Sequence, residues 1–252
     1  MTIGNAEVAV CLRQATSTWT QSKTFLSRYF YFCMSLVLAA LVVWGFSKTV
    51  DANLFHATPP RPILLWIHGA AFSTWLVFFI AQSALVRVHK VSVHRTLGWF
   101  GTGLATLMVG LGFTIAVVMA RFDTFVLHQI GADAFLAIPF YDMVVFGTLI
   151  ALAIVVWRKK PEYHRRLVFI ASCGLMDAAF GRFDFLFNHN LFFPLLDSLI
   201  LLGIARDLVV DGRVHKVYRY ALPVLIMGQS LAMYAWRANP AWWRAVTSAI
   251  IG

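Results

Sequence analysis

Charge is what this sequence is shortest of. Only 13% of its 252 residues are Asp, Glu, Lys or Arg, about half the roughly 25% usual in soluble domains. Acidic residues are scarcest, 11 against 21 basic ones, which leaves a formal charge of +10. Cysteine is nearly missing: Cys11, Cys33 and Cys173 are odd in number and lack metal-ligand spacing, so the cysteines indicate neither a disulfide framework nor a zinc site. Also missing are His-Glu-x-x-His, Gly-x-Ser-x-Gly, a glycine-rich phosphate loop and clustered His-x-x-His-His, so the common hydrolase and nucleotide motifs do not apply.

What fills the space is apolar. The hydrophobic set makes up 60% of the chain, with 22 Phe and 9 Trp, and the mean hydropathy is +0.74. A water-soluble fold of this length has too little interior to hide so much apolar surface. The expected solvent is a bilayer, and the expected fold class is an all-α polytopic bundle.

A helix crossing about 30 Å of hydrocarbon needs roughly 20 mainly apolar residues. Seven such runs are expected, at Tyr29–Phe46, Ile63–Val86, Thr96–Ala120, Ala134–Trp157, Leu167–Gly181, Leu191–Ala205 and Tyr220–Trp236. The fifth and sixth are short and contain Asp177 and Asp197, so they read as short spans, tilted partners or a re-entrant pair. The first run follows Arg13, Lys23 and Arg28 and lacks a small-x-small cleavage site, the pattern of a retained signal anchor. The chain then divides into an N-terminal segment 1–28, a transmembrane domain 29–236 and an interfacial tail 237–252 whose Trp242-Trp243 reads as an aromatic anchor.

Basic residues decide orientation. Fifteen fall on the side of the N-terminus and six on the other, which predicts a cytoplasmic N-terminus and an outer C-terminus. The surplus charge is therefore a topology signal that also favours anionic lipid headgroups at the cytoplasmic face, and nucleic acid is not an expected partner. The chain also repeats itself. Val88-His89-Lys90-Val91 recurs as Val214-His215-Lys216-Val217, and His94-Arg95, His164-Arg165 and Tyr218-Arg219 each open a returning helix. Three parallel hairpins after a leading helix are predicted, an arrangement unlike the inverted repeats of many transporters.

Several of these residues carry a resemblance. His68-Gly69 with Trp75 and Gln82, then His94-Arg95-Thr96-Leu97-Gly98, then the run Arg158 to Leu167 with Pro161-Glu162-Tyr163-His164, resemble a family of bacterial multi-pass membrane proteins of unknown function. The resemblance covers about Ile63 to Arg182. It implies a seven-helix fold and a bacterial inner membrane, and brings no activity with it.

Ionisable groups inside a bilayer cost about 2.5–3.5 kcal/mol each on insertion scales, so each calls for a role. His68, Asp142, Asp177 and Asp197 fall about 8 Å from the outer ends of their helices at 1.5 Å per residue, and Arg182 closes the fifth helix. Together they suggest an outer polar chamber that binds or transports a metal ion, a proton or a small polar ligand, with His68, Asp142 and Asp177 as ligands of a hard or borderline metal. Gln82 and Gln229 could extend it. The structural alternative pairs Asp142 or Asp177 with Arg182 and leaves His68 bonding a neighbouring helix. At the inner end, His94 and His164 read as haem, quinone or headgroup contacts, or as interfacial side chains. A membrane oxidoreductase or electron carrier with b-type haem needs two facing histidines, and no axial pair at matched depth is evident unless two inner histidines turn inward. A purely structural assembly subunit is the third possibility.

Overall fold

The computed structural model describes the backbone of residues 3–252 and the side chains from Lys23 onward. Cys11 and Arg13, used above, lie outside the described side chains. The described residues form ten α-helices: α1 (Ile3–Phe46), α2 (Ile63–Arg87), α3 (Val91–Phe125), α4 (Ala137–Val156), α5 (Pro161–Gly174), α6 (Asp177–Phe180), α7 (Asp184–Asn188), α8 (Phe192–Asp211), α9 (Lys216–Ala238) and α10 (Ala241–Ile251). The fold is all-α, as expected.

The punctuation follows the sequence. Pro62 precedes α2 in an extended conformation, because a residue beside proline cannot extend a helix backward. Pro161 opens α5 at its first turn, where the missing N–H costs nothing. Gly212 ends α8 in the left-handed region at φ 67°, the usual glycine stop. At the start of α9 the His215 Nδ1 accepts the Val217 amide at 3.2 Å.

Four helical stretches are long and apolar enough to cross a membrane: Lys23–Phe46, Ile63–Arg87, Val91–Phe125 and Ala134–Val156. Their outward faces carry Val43, Trp44, Val77, Leu107 and Val155, an exterior suited to lipid rather than water. The later part of the chain is more polar. The fifth expected run breaks into α5 and α6 at Leu175-Met176, while α8 and α9 have 20 and 23 residues but carry charge: Asp197, Arg206 and Asp207 on α8, Lys216 and Arg219 on α9.

Helices α2 to α5 pack in chain order, each against the next, while α1 lies along α2, α6 and α8. Trp75 of α2 anchors the centre, donating its indole N–H to Ser172 Oγ at 3.3 Å and meeting Phe146 edge to face at 5.2 Å. Gly45 is required where α1 meets α6, since a Cβ there would sit 2.5 Å from the Ala179 carbonyl oxygen. The first two hairpins, α2–α3 and α4–α5, are packed helix on helix. The third is splayed, with α8 against α1, α5 and α6 and α9 chiefly against α4.

The tail differs from expectation. Residues 241–251 form α10, which docks on α3 and the turn at 134–136. Trp243 is only 7% exposed and donates its indole N–H to the Ala134 carbonyl at 3.0 Å; Arg121 of α3 reaches the carbonyls of Ile250 and Ile251. One tryptophan of the pair is thus a packing residue, because its N–H finds a buried carbonyl, while Trp242 stays exposed.

Candidate functional site

The ends of α2 and α4 and the starts of α3 and α5 come together at the basic end of the bundle. The α2–α3 turn is short enough that His89 takes φ 60°, and α3 begins immediately, placing His94 in its first turn. His164 occupies the same position in α5. Its Nδ1 lies 3.0 Å from the Ala153 carbonyl, one turn from the end of α4. A carbonyl can only accept, so Nδ1 carries the hydrogen and the lone pair of the neutral ring sits on Nε2. The His94 ring faces the Gln82 main chain in α2, and the Gln82 amide donates to the His94 carbonyl at 3.3 Å.

Each histidine is therefore held against the preceding helix, and the two rings turn toward each other, with centroids 6.5 Å apart and planes at 80°. Two histidines that lie 70 residues apart in the sequence are thus neighbours at the basic end of the bundle. One metal atom bound by two imidazole nitrogens at about 2 Å each places ring centroids roughly 6 Å apart, so the observed gap suits a single ion held between them.

Around the pair lies a cleft of about 120 Å³, lined by Trp75, Phe78, Phe79, Trp99, Ile150 and Trp157, with Arg95 and Gln82 among its few polar groups. Gly98, one turn beyond His94, would meet nothing if it carried a Cβ, so the absence of a side chain leaves that wall open. Gln82 is 7% exposed, and its Oε1, like His94 Nδ1, is buried without a partner. A mainly apolar cleft with two convergent imidazoles suits a flat aromatic cofactor that needs axial ligands.

At the opposite end the expected chamber assembles in part. The Asp142 and Asp177 carboxyls, from α4 and α6, are neighbours, close enough for one proton to be shared between them. Asp197 accepts from Gln229 at 3.0 Å, and the Tyr141 hydroxyl donates to the Leu225 carbonyl at 2.8 Å. His68 lies over Phe72, centroids 4.0 Å apart, with Nδ1 buried and unpartnered. Among the described residues no three His, Cys, Asp or Glu side chains group as metal ligands, so His68 does not join Asp142 and Asp177 in a metal site. Arg182 forms no ion pair among the described residues either; it lies 4.7 Å over the Phe46 ring, and the expected pairing with Asp142 or Asp177 is not made. Gln82 belongs to the basic-end cleft and not to the chamber.

One cluster went unforeseen. Arg166, read above only as a topology charge, is 1% exposed and grips Asp207, which is 0% exposed. The grip is bidentate: Nε to Oδ2 at 2.8 Å and Nη2 to Oδ1 at 2.7 Å. Arg206 adds a bond to Asp207 at 2.8 Å, and Glu162 and Asp211 complete the network. Burial tends to raise the Asp207 carboxyl, but the hydrogen bonds from Arg166 and Arg206 outweigh it and hold it below the ordinary value. The network ties the first turn of α5, which carries His164, to the end of α8. Glu162 and Arg166 at i,i+4 were a visible signal; the partner 41 residues away was not. Compared with known protein-family models, curated proteins and solved structures, the chain matches none.

Proposed function

We propose that this is a seven-span inner-membrane protein of bacterial type with a cytoplasmic N-terminus, and that its His94–His164 cleft holds b-type haem, making it a membrane electron carrier or oxidoreductase. The observation that carries the proposal is the facing pair itself: two imidazoles from parallel hairpins, 6.5 Å apart, with His164 fixed so that Nε2 is free. His94 and His164 would hold its iron. Bound haem supplies one-electron chemistry. The chain does the rest: Ala153 orients one ligand, the aromatic walls exclude water, and Arg95 offers a cation where acidic groups on the cofactor would emerge.

The visible spectrum of protein purified from haem-replete cells tests this. A Soret band and low-spin bands are expected, lost together in His94→Ala or His164→Ala; a colourless wild-type protein that takes up no added haem sinks the reading. The topology has its own test. With the three native cysteines replaced, His128→Cys should react with an impermeant thiol reagent added to intact spheroplasts and His89→Cys should not, both being exposed turn residues; the reverse pattern inverts the orientation.

A second reading concerns the opposite end. The neighbouring carboxyls of Asp142 and Asp177 support a proton rather than a metal as the chamber's cargo, since among the described residues the donor set for a metal is incomplete. Proton uptake by proteoliposomes should fall in Asp142→Asn and Asp177→Asn, and equal uptake by all three proteins removes this reading.

A further inference from the structure

We infer that Gln82 is the positioning residue for His94: its Oε1 accepts the His94 Nδ1–H while its amide N–H₂ holds the His94 carbonyl. The inference rests on the haem reading of the cleft and adds a residue that sets how strongly the iron is bound. Two buried polar atoms in the cleft have no partner, Gln82 Oε1 and His94 Nδ1. A buried polar atom left unpaired in this way is costly, and folded proteins rarely keep one. One is an acceptor; the other is a donor whenever the ring carries its hydrogen on Nδ1. They belong to two residues already joined by a hydrogen bond at 3.3 Å, so a turn of the amide and the ring satisfies both.

The arrangement also makes the two histidines alike. His164 Nδ1 is bonded to a residue 11 positions upstream in α4, and His94 would be bonded to one 12 positions upstream in α2. In each case Nε2 is left without the hydrogen and free to bind a metal. An acceptor on the far nitrogen of a ligating imidazole fixes its tautomer and raises its basicity, which favours the more highly charged ferric iron and lowers the midpoint potential. The competing acceptor is the Gln82 main-chain carbonyl, which the ring also faces and which survives any substitution.

The test compares wild type, Gln82→Met and Gln82→Glu after titration with ferric haem, measuring affinity, midpoint potential and the electron paramagnetic resonance of the ferric form. Gln82→Met keeps the length and removes the acceptor; it should bind haem about 10–100-fold more weakly and at a higher midpoint. Gln82→Glu keeps an acceptor; it should hold haem as wild type does, with a midpoint no higher. Unchanged potential and resonance in Gln82→Met give the role to the main-chain carbonyl and overturn the inference while leaving the haem reading intact. Should Gln82→Met fail to fold, a raised midpoint in Gln82→Glu overturns it instead. A wild-type protein that takes up no haem overturns both.

Discussion

Asp207→Ala is the most exacting perturbation of this fold. The wild-type carboxylate has no exposure and takes three hydrogen bonds, two from Arg166 and one from Arg206. Removing one partner of a buried ion pair costs about 3–5 kcal/mol, because the remaining charge stays buried. Here Arg166 keeps the Glu162 carboxylate at 2.8 Å and both arginines keep Asp211, which puts the cost at the lower end, about 3 kcal/mol. For a chain of this length about 2–4 °C accompanies each kcal/mol, so Tm should fall by roughly 6–12 °C when detergent-solubilised protein is unfolded at pH 7. The double substitution Arg166→Met with Asp207→Leu should recover much of that loss, since no charge is stranded. The pH dependence has a definite sign. A carboxylate held below its unfolded value of about 3.9 stabilises the fold above that pH and loses its contribution as pH falls through the lower folded value. The gap between wild type and Asp207→Ala should therefore persist to about pH 4 and close only below it. A Tm within about 2 °C of wild type at pH 7, or a gap that closes between pH 5 and 7, would refute the reasoning.

Gly98→Leu should fill the open wall beside His94 and abolish ligand uptake while both histidines remain; unchanged haem binding would mean that the cleft is not where the ligand sits. Gly45→Ala, by contrast, should lower stability by about 1–3 kcal/mol, since its Cβ meets the Ala179 backbone, whereas Gly98→Ala should be neutral; equal melting of the two would contradict the close approach of α1 and α6. Trp243→Ala should undock α10 and expose the Asn239-Pro240 link to limited proteolysis, at a local cost of about 3–5 kcal/mol; a cleavage pattern identical to wild type would show that the tail is held by other contacts.

Legibility in the sequence tracked how local the determining physics was. The first four apolar runs are plain because composition alone makes a helix that lipid will accept; the second and fourth match their spans to within a residue, while α3 runs five residues further at each end and α1 begins as early as Ile3. The break of the fifth run at Leu175-Met176 was not foreshadowed by any proline; it falls just after Gly174, where helix propensity is lowest. Trp243 was misread because the feature that makes tryptophan an interface anchor, a ring with one N–H, equally lets it bury against a free carbonyl. Arg166 and Arg206 count as loop cations in a charge tally, yet both are buried: Arg166 pairs across the bundle with Asp207 and Asp211 of α8, and pairing between helices leaves no periodic mark in a chain, while Arg206 meets the same two carboxylates within its own helix.

The histidine pair shows how a repeat can encode a site that no single segment carries. Each hairpin turns at the basic end and restarts with a ring followed by arginine, so parallel hairpins must present those rings at one level. In the first two, the helices lie flush, the His164 ring is held against the helix just left, and the two first-turn rings come within 6.5 Å of each other. In the third, the ring is Tyr218, and it is buried against Gly203 of α8, a glycine whose Cβ would strike the phenol. The third ring serves packing, with Tyr218 and the Arg166–Asp207 network closing the bundle around α5. The two flush hairpins bring the histidine pair together, and the Arg166–Asp207 network ties the α5 member of that pair to the third.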